Sequence, residues 1–169
     1  MACTEPPRDI FQPGGQPRPE CFSEPATRVL AEAVRLAKET HWDSVRSPHL
    51  FMGLLAAPDE GVRRWGARLE ADLGQLLKQF QELFHQDDCE RAPLLMLNRE
   101  FLSDNVMRFL REAYRRALEH QRSAVLPMDL LITLLINKSV VLDCFEHAGF
   151  TAAKLTELAV LAEQQSAQS

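Results

Sequence analysis

Sliding the 169-residue chain along itself by 80 positions lays residues 22–55 over residues 102–135 without a gap, and 12 of the 34 superposed positions are identical. The matches include the cap-type residues Ser23/Ser103, the exposed-type charges Arg28/Arg108, Glu32/Glu112, Arg35/Arg115 and Glu39/Glu119, and the apolar residues Leu30/Leu110, Val45/Val125, Leu50/Leu130, Leu54/Leu134 and Leu55/Leu135. Amphipathic helices of unrelated origin share only their apolar face, so identity on caps and charges as well marks a duplicated structural unit. After a one-residue shift the remainder corresponds too, with Val62 over Val141 and Leu76 over Leu155.

Each copy reads as four helices. Ser23 is a good N-cap, Glu24-Pro25 suit a first turn, and Val29, Leu30, Ala33, Leu36 and Ala37 recur at helical spacing, which predicts a helix over 24–40. Ser47-Pro48 signals a second start, Asp59 a third, and Asp72 with Gln75 a fourth, over 73–84. In the second copy Ser103-Asp104, Pro127, Ser139 and Thr151 play the same parts. The segments 50–55 and 130–135 are apolar nearly all round, as a helix enclosed by neighbours must be, and the small residues Ala33, Ala37, Ala113 and Ala117 let the long first helix of each copy pass close to it. The expected fold is all-α: two tandem four-helix repeats related by a pseudo-twofold axis, each hiding the apolar face of the other.

The expected organisation is a disordered Pro-rich tail over 1–21, repeat 1 over 22–85, a linker over 86–101, repeat 2 over 102–164 and a second disordered tail over 165–169. Residues 1–20 hold five of the ten prolines and a Gly14-Gly15 pair, with little apolar area to offset the entropy of ordering. With 46% hydrophobic and 25% charged residues the chain has the composition of a globular protein. No apolar run is long enough to span a bilayer, and a net charge of −5 without a basic, aromatic-interleaved cluster excludes nucleic acid as the expected partner. Cys3, Cys21, Cys89 and Cys144 form no CxxC pair, so free thiols are expected rather than disulfides or zinc. The N-terminus lacks a secretory leader pattern, and a cytoplasmic location follows by default.

The aromatic, cap and helix start Phe22-Ser23-Glu24-Pro25-Ala26-Thr27-Arg28-Val29-Leu30, and the capped Leu-rich helix Ser47-Pro48-His49-Leu50-Phe51-Met52-Gly53-Leu54-Leu55, both occurring in a unit used twice, resemble the Clp N-terminal domain, the double repeat that precedes the ATPase rings of the Clp unfoldases. The resemblance spans residues 22–164. It implies a module that binds substrates, adaptors or degradation signals, here without an ATPase, since no GxxxxGK[ST] phosphate loop is present. Expected partners are proteins or peptides, a Clp ATPase, a protease subunit or their substrates among them, with no nucleic acid and no membrane. In some relatives a glutamate in each repeat receives an arginine-like ligand; Pro48 and Met128 stand at the aligned positions, and neither pairs with a guanidinium.

No enzyme is expected: no serine, cysteine or threonine sits in a recognisable nucleophile motif. No metal or cofactor is expected either, because His85/Cys89 and Cys144/His147 supply two ligands each where a tetrahedral site needs four. Cys144 reads as replacing a core position. Glu32 and Glu112, examined as a carboxylate pair, read instead as solvated neighbours of Arg35 and Arg115. Trp65, among Val62 and Leu69, reads as core and Trp42 as partly exposed. The candidate partner-binding residues are the loop-to-helix junctions Arg46, Ser47, Pro48 and His49 in repeat 1 and Pro127, Met128 and Asp129 in repeat 2, where helix-start N–H groups would receive an acidic or polar group. The alternative is a small helical enzyme or ligand-binding protein reusing the fold, to be distinguished by a deep closed cavity with convergent polar groups.

Overall fold

A computed structural model describes residues 9–87 and 94–167, which form eight α-helices and no strand. Repeat 1 contains α1 (Glu24–Glu39), α2 (Ser47–Ala56), α3 (Glu60–Arg68) and α4 (Leu73–Phe84); repeat 2 contains α5 (Asp104–Glu119), α6 (Pro127–Ile136), α7 (Val140–His147) and α8 (Ala152–Ala167). The caps are the residues the sequence points to: Ser23, Asp59, Asp72, Ser103, Ser139 and Thr151 each accept a hydrogen bond from the N–H three residues on.

The pseudo-twofold relation is written into the backbone. Phe22 pairs in parallel with Val125, and Leu102 with Val45, each residue 80 positions from its image. Ser23 N–H bonds the Val125 carbonyl at 2.9 Å and Ser103 N–H the Val45 carbonyl at 3.0 Å, while Val125 N–H and Val45 N–H return bonds to Cys21 and Phe101. The start of each repeat is thus fastened to the loop before the central helix of the other.

The central helices α2 and α6 touch each other and are enclosed by the rest. On α2 every residue from Ser47 to Leu55 is buried. Gly53 permits the closest approach, since a Cβ there would lie 2.4 Å from the Val29 carbonyl oxygen of α1. Its image is Thr133, and α1 packs more extensively on α2 than α5 does on α6.

Helices α1, α3, α5 and α7 all end in the same way, with the N–H two residues past the cap reaching back to the third-last helical carbonyl: Trp42 to Ala37, Ala71 to Gly66, Arg122 to Ala117 and Phe150 to Phe145. That motif needs a left-handed residue. Gly149 supplies it after α7, but His41, Glu70 and Gln121 adopt φ of 64°, 57° and 57° despite their side chains. Glu70 is exposed and its side chain makes no hydrogen bond or ion pair among the described residues, so Glu70→Gly is expected to raise stability by up to about 1 kcal/mol, read as a shifted urea midpoint at constant slope.

Four expectations are corrected. Residues 9–21 are folded, not a disordered tail: Ile10 and Phe11 are 2% and 3% exposed, Asp9 holds Arg111 through two bonds of 3.0 and 3.1 Å, and a 3-10 helix spans Pro19–Cys21. Its image, Arg99–Phe101, falls in the expected linker together with buried Leu95, so each repeat begins earlier than the apolar periodicity does. Residues 165–167 belong to α8. Finally, Glu112 accepts a bond from Asn137 at 2.7 Å rather than pairing with Arg115, whereas Glu32 does pair with Arg35 at 2.6 Å. Residues 88–93, Cys89 included, lie outside the described residues, as does Cys3.

Candidate partner-binding site

The two junctions occupy equivalent places and have opposite chemistry. In repeat 1, Ser47, Pro48 and His49 are buried and only Arg46 is exposed. Pro48 sits in the first turn of α2, where its missing N–H costs nothing. His49 reaches back to cap its own helix, its Nδ1 accepting from Arg46 N–H at 3.0 Å. The Thr40 hydroxyl donates to the Leu36 carbonyl at 2.7 Å, which leaves its oxygen to accept from His49 Nε2–H at 3.2 Å. Both ring nitrogens are therefore used by a neutral imidazole. The Trp42 ring covers this histidine edge-on at 5.3 Å, and the Arg46 guanidinium lies 4.9 Å from the same indole. Trp42 is tied in turn by its Nε1–H to the Phe84 carbonyl at 2.6 Å.

Burial, aided by the nearby Arg46 charge, lowers the His49 pKa to about 4. The unfolded chain, with an ordinary imidazole, binds the extra proton between about pH 6.5 and 4, so stability present above that window is lost as pH falls through it. The expected loss is about 3 kcal/mol, from 2.303RT times the shift. Urea unfolding at pH 7.5 and 4.5 measures it, and His49→Asn should flatten the slope.

In repeat 2 the residues 80 positions on form a polar, largely ionic set: Arg116 for Leu36, His120 for Thr40, Arg122 for Trp42 and Asp129 for His49. Asp129 keeps the capping duty, its Oδ2 accepting from Leu126 N–H at 2.8 Å. It is fully buried and also takes Arg116 at 2.7 Å and a two-pronged bond from Arg122. Arg116 then grips Glu163 of α8 through both terminal nitrogens, at 2.7 and 2.8 Å. Burial pushes the Asp129 carboxyl up, but the bonds from Arg122, Leu126 N–H and Arg116 outweigh it and hold the group below the usual carboxylate range.

Arg116, His120 and Arg122, with Glu163, line one wall of a cleft of about 790 Å³ behind which Asp129 is buried. Leu126, Met128 and Val160 supply apolar surface, and Asp59 and Gly61 bring α3 of the other repeat to its edge. Gly61 lets α3 approach closely there, a Cβ standing 2.6 Å from Met128 Cγ, so any larger residue would displace the Met128 side chain. Of the seven junction residues, Met128 alone lines this cleft; Pro127 and Asp129 face the core, and the N–H groups of His49 and Asp129 are spent on the Arg46 and Leu126 carbonyls. The sequence reading missed Arg116 and Arg122, although their departure from Leu36 and Trp42 within an otherwise matching repeat was visible. Among the described residues no group of three or more His, Cys, Asp or Glu is placed to hold a metal ion.

No family model matches the sequence, and no curated protein matches it. Solved structures do match the fold. The Hsp104 N-terminal domain from Candida albicans superposes with a TM-score of 0.68 at 18% identity, over 83% of this chain and 90% of that one. The N-terminal domain of the caseinolytic protease associated chaperone ClpD from Arabidopsis thaliana gives 0.65 at 17%, over 86% and 96%. The chain has the Clp N-terminal domain fold. The N-domain of ClpV from Vibrio cholerae gives 0.61 at 16%, over 83% and 84%. These matches cover 83–86% of the chain, and the 169 residues include no ATPase module. Among the described residues no helix is long and apolar enough to cross a membrane.

Proposed function

We propose that this chain is a non-catalytic protein-interaction module that receives a segment of a partner protein in the cleft beside Met128, between α3 of one repeat and α5, α6 and α8 of the other. The observation that carries this reading is the cleft's form: open, about 790 Å³, with apolar Leu126, Met128 and Val160 next to a fixed ionic wall. Open clefts between helices suit a peptide with one apolar anchor and polar flanks. Of the lining carboxylates, Glu163 is already held by Arg116 and Arg122 and Asp59 caps α3 by accepting from Val62 N–H, so an arginine-like ligand meets committed acceptors and two like charges. The partner is a peptide or protein, a Clp ATPase or its substrate among the candidates, met in the cytoplasm, where the unpaired Cys21 and Cys144 stay reduced.

Titration of the intact chain with an apolar peptide library and with phosphoarginine, followed by NMR, tests this. Apolar peptides are expected to shift resonances around Met128 and Val160, and phosphoarginine to shift none. Met128→Glu should weaken peptide binding by more than about 1 kcal/mol, the usual threshold for an interface residue that matters. Because Met128 is buried, half-buried Val160→Glu provides a second variant less exposed to misfolding. Saturating phosphoarginine binding at the cleft would refute the reading.

A further inference from the structure

The pseudo-twofold symmetry fails at one interface, and the failure leaves a groove. In one half α8 lies along α3, with Trp65 fully buried and its Nε1–H bonded to the Leu155 carbonyl at 3.1 Å. The image pair is α4 and α7, which make only marginal contact. The side chains explain why. On α8 the residues facing inward are Leu155, Ala159 and Ala162, all fully buried, and the alanines let the helix close on its neighbour. The 79-residue spacing of the caps Asp72 and Thr151 places Leu76, Phe80 and Leu83 at the same positions of α4, and the larger rings and branches hold α4 off.

Opposite them, the caps Asp59 and Ser139 are 80 apart, so Phe145 is the image of Trp65 and Cys144 the image of Arg64. The one-residue shift falls at the helix end, α3 having nine residues and α7 eight, so Val62 lies over Leu142 and not over Val141 as the sequence suggests. This corrects the reading of Cys144 as a lost core residue. It is half-buried at the groove wall, where Arg64 on the closed side reaches Ser166 of α8.

What remains is a groove of about 330 Å³ with no charged residue in its lining; Leu76, Phe80, Leu83, Cys144, Phe145 and Phe150 form its main surface. Leu83 is 63% exposed and Phe150 37%. The groove is the open end of the aromatic interface that joins the repeats. Phe145 packs on Trp65 at 6.1 Å, on Phe80 at 6.2 Å and on Phe150 at 6.0 Å, and Phe51 touches Trp65, Phe80 and Phe145 from beneath.

We infer that this groove is a second interaction surface and that its occupant is a single aromatic side chain, tryptophan above all, from an uncharged stretch of a partner protein. The molecule holds the template: on the closed side the Trp65 indole and α8 fill the space between the paired helices, while on the open side the shorter Phe145 fills only part of it and the retracted α4 leaves the rest as the groove. The size admits one large side chain rather than a helix, at the lower end of pocket volumes that bind small ligands. Ring edges at Phe80, Phe145 and Phe150 offer the tilted and edge-on contacts aromatic pairs prefer. A charged anchor would find no partner in such a lining.

The test is NMR titration of the full chain with the capped tripeptide acetyl-Ala-Trp-Ala-amide, and with its leucine and glutamate counterparts. The tryptophan peptide is expected to shift resonances of Leu76, Leu83 and Phe150, and to bind about fivefold tighter than the leucine peptide. Leu83→Asp, at an exposed position that leaves the core intact, is expected to abolish those shifts, and Val160→Glu in the other cleft to leave them unchanged. Equal binding of the leucine peptide, shifts confined to the Met128 cleft, or no shifts at millimolar peptide would each overturn the inference. So would concentration-dependent shifts at the groove without peptide, which would make a second copy of the chain its occupant.

Discussion

Replacing Asp129 by alanine should destabilise the protein by about 3–5 kcal/mol, enough to unfold a domain of ordinary stability near physiological temperature. The carboxylate is fully buried, closes the first turn of α6 and neutralises two guanidiniums; its removal leaves Arg116 and Arg122 sharing Glu163 alone. Thermal unfolding followed by circular dichroism measures the loss. The repeat suggests its own rescue. Repeat 1 solves the same packing problem with Leu36, Thr40, Trp42, His49 and Phe84, so the set Arg116→Leu, His120→Thr, Arg122→Trp, Asp129→His and Glu163→Phe, which strands no carboxylate, should recover much of what Asp129→Ala alone loses. A set no more stable than the single variant would show that the two junctions are not interchangeable. The acid response also differs. Because the folded carboxyl is held below its unfolded value, Asp129 contributes fully above about pH 4 and loses its contribution only as pH falls through the lower folded value. His49 gives way first, between about pH 6.5 and 4.

Trp65→Ala is expected to cost about 3–5 kcal/mol. The indole is fully buried where both repeats meet, packing on Phe51 and Phe145 and bonding α8, so truncation opens a cavity at the joint itself. Phe145→Ala should cost less, because its ring faces a groove that relaxes more readily than the closed side. Urea unfolding of both variants at pH 7.5 gives the comparison, and equal losses would contradict the asymmetry between the two sides.

The helices and their caps were legible because each is decided locally: Ser23, Asp59 and Asp72 act within one turn, and 3.6-residue periodicity survives in a single sequence. The duplication was legible for the same reason. The folding of residues 9–21 was not. Ile10 and Phe11 stand alone among prolines and glycines without a period, and their burial depends on Arg111 and Asn98, which lie far along the chain. The helix starts at Ser47 and Pro127 fall where the sequence puts them, but the burial of their first residues was not legible. A helix start looks exposed in sequence, but Ser47, Pro48 and His49 sit at the beginning of a helix packed against α1, α4, α5, α6 and α7. The groove between α4 and α7 depends on Phe80 and Leu83 standing where Ala159 and Ala162 stand in the other copy. That comparison becomes meaningful only once the packing partners are known.

The crossed pairing of Phe22 with Val125 and Leu102 with Val45 bears on how such a molecule arises. A single repeat would present an unpaired start and an unpaired loop whose hydrogen-bonding groups match each other but cannot meet within one copy. Two identical copies would satisfy one another through a closed, twofold contact that saturates at a dimer instead of growing into a chain. Joining the copies in one polypeptide turns that concentration-dependent encounter into an intramolecular one. It also frees each half to drift apart in chemistry, as the histidine of one junction and the aspartate of the other have done.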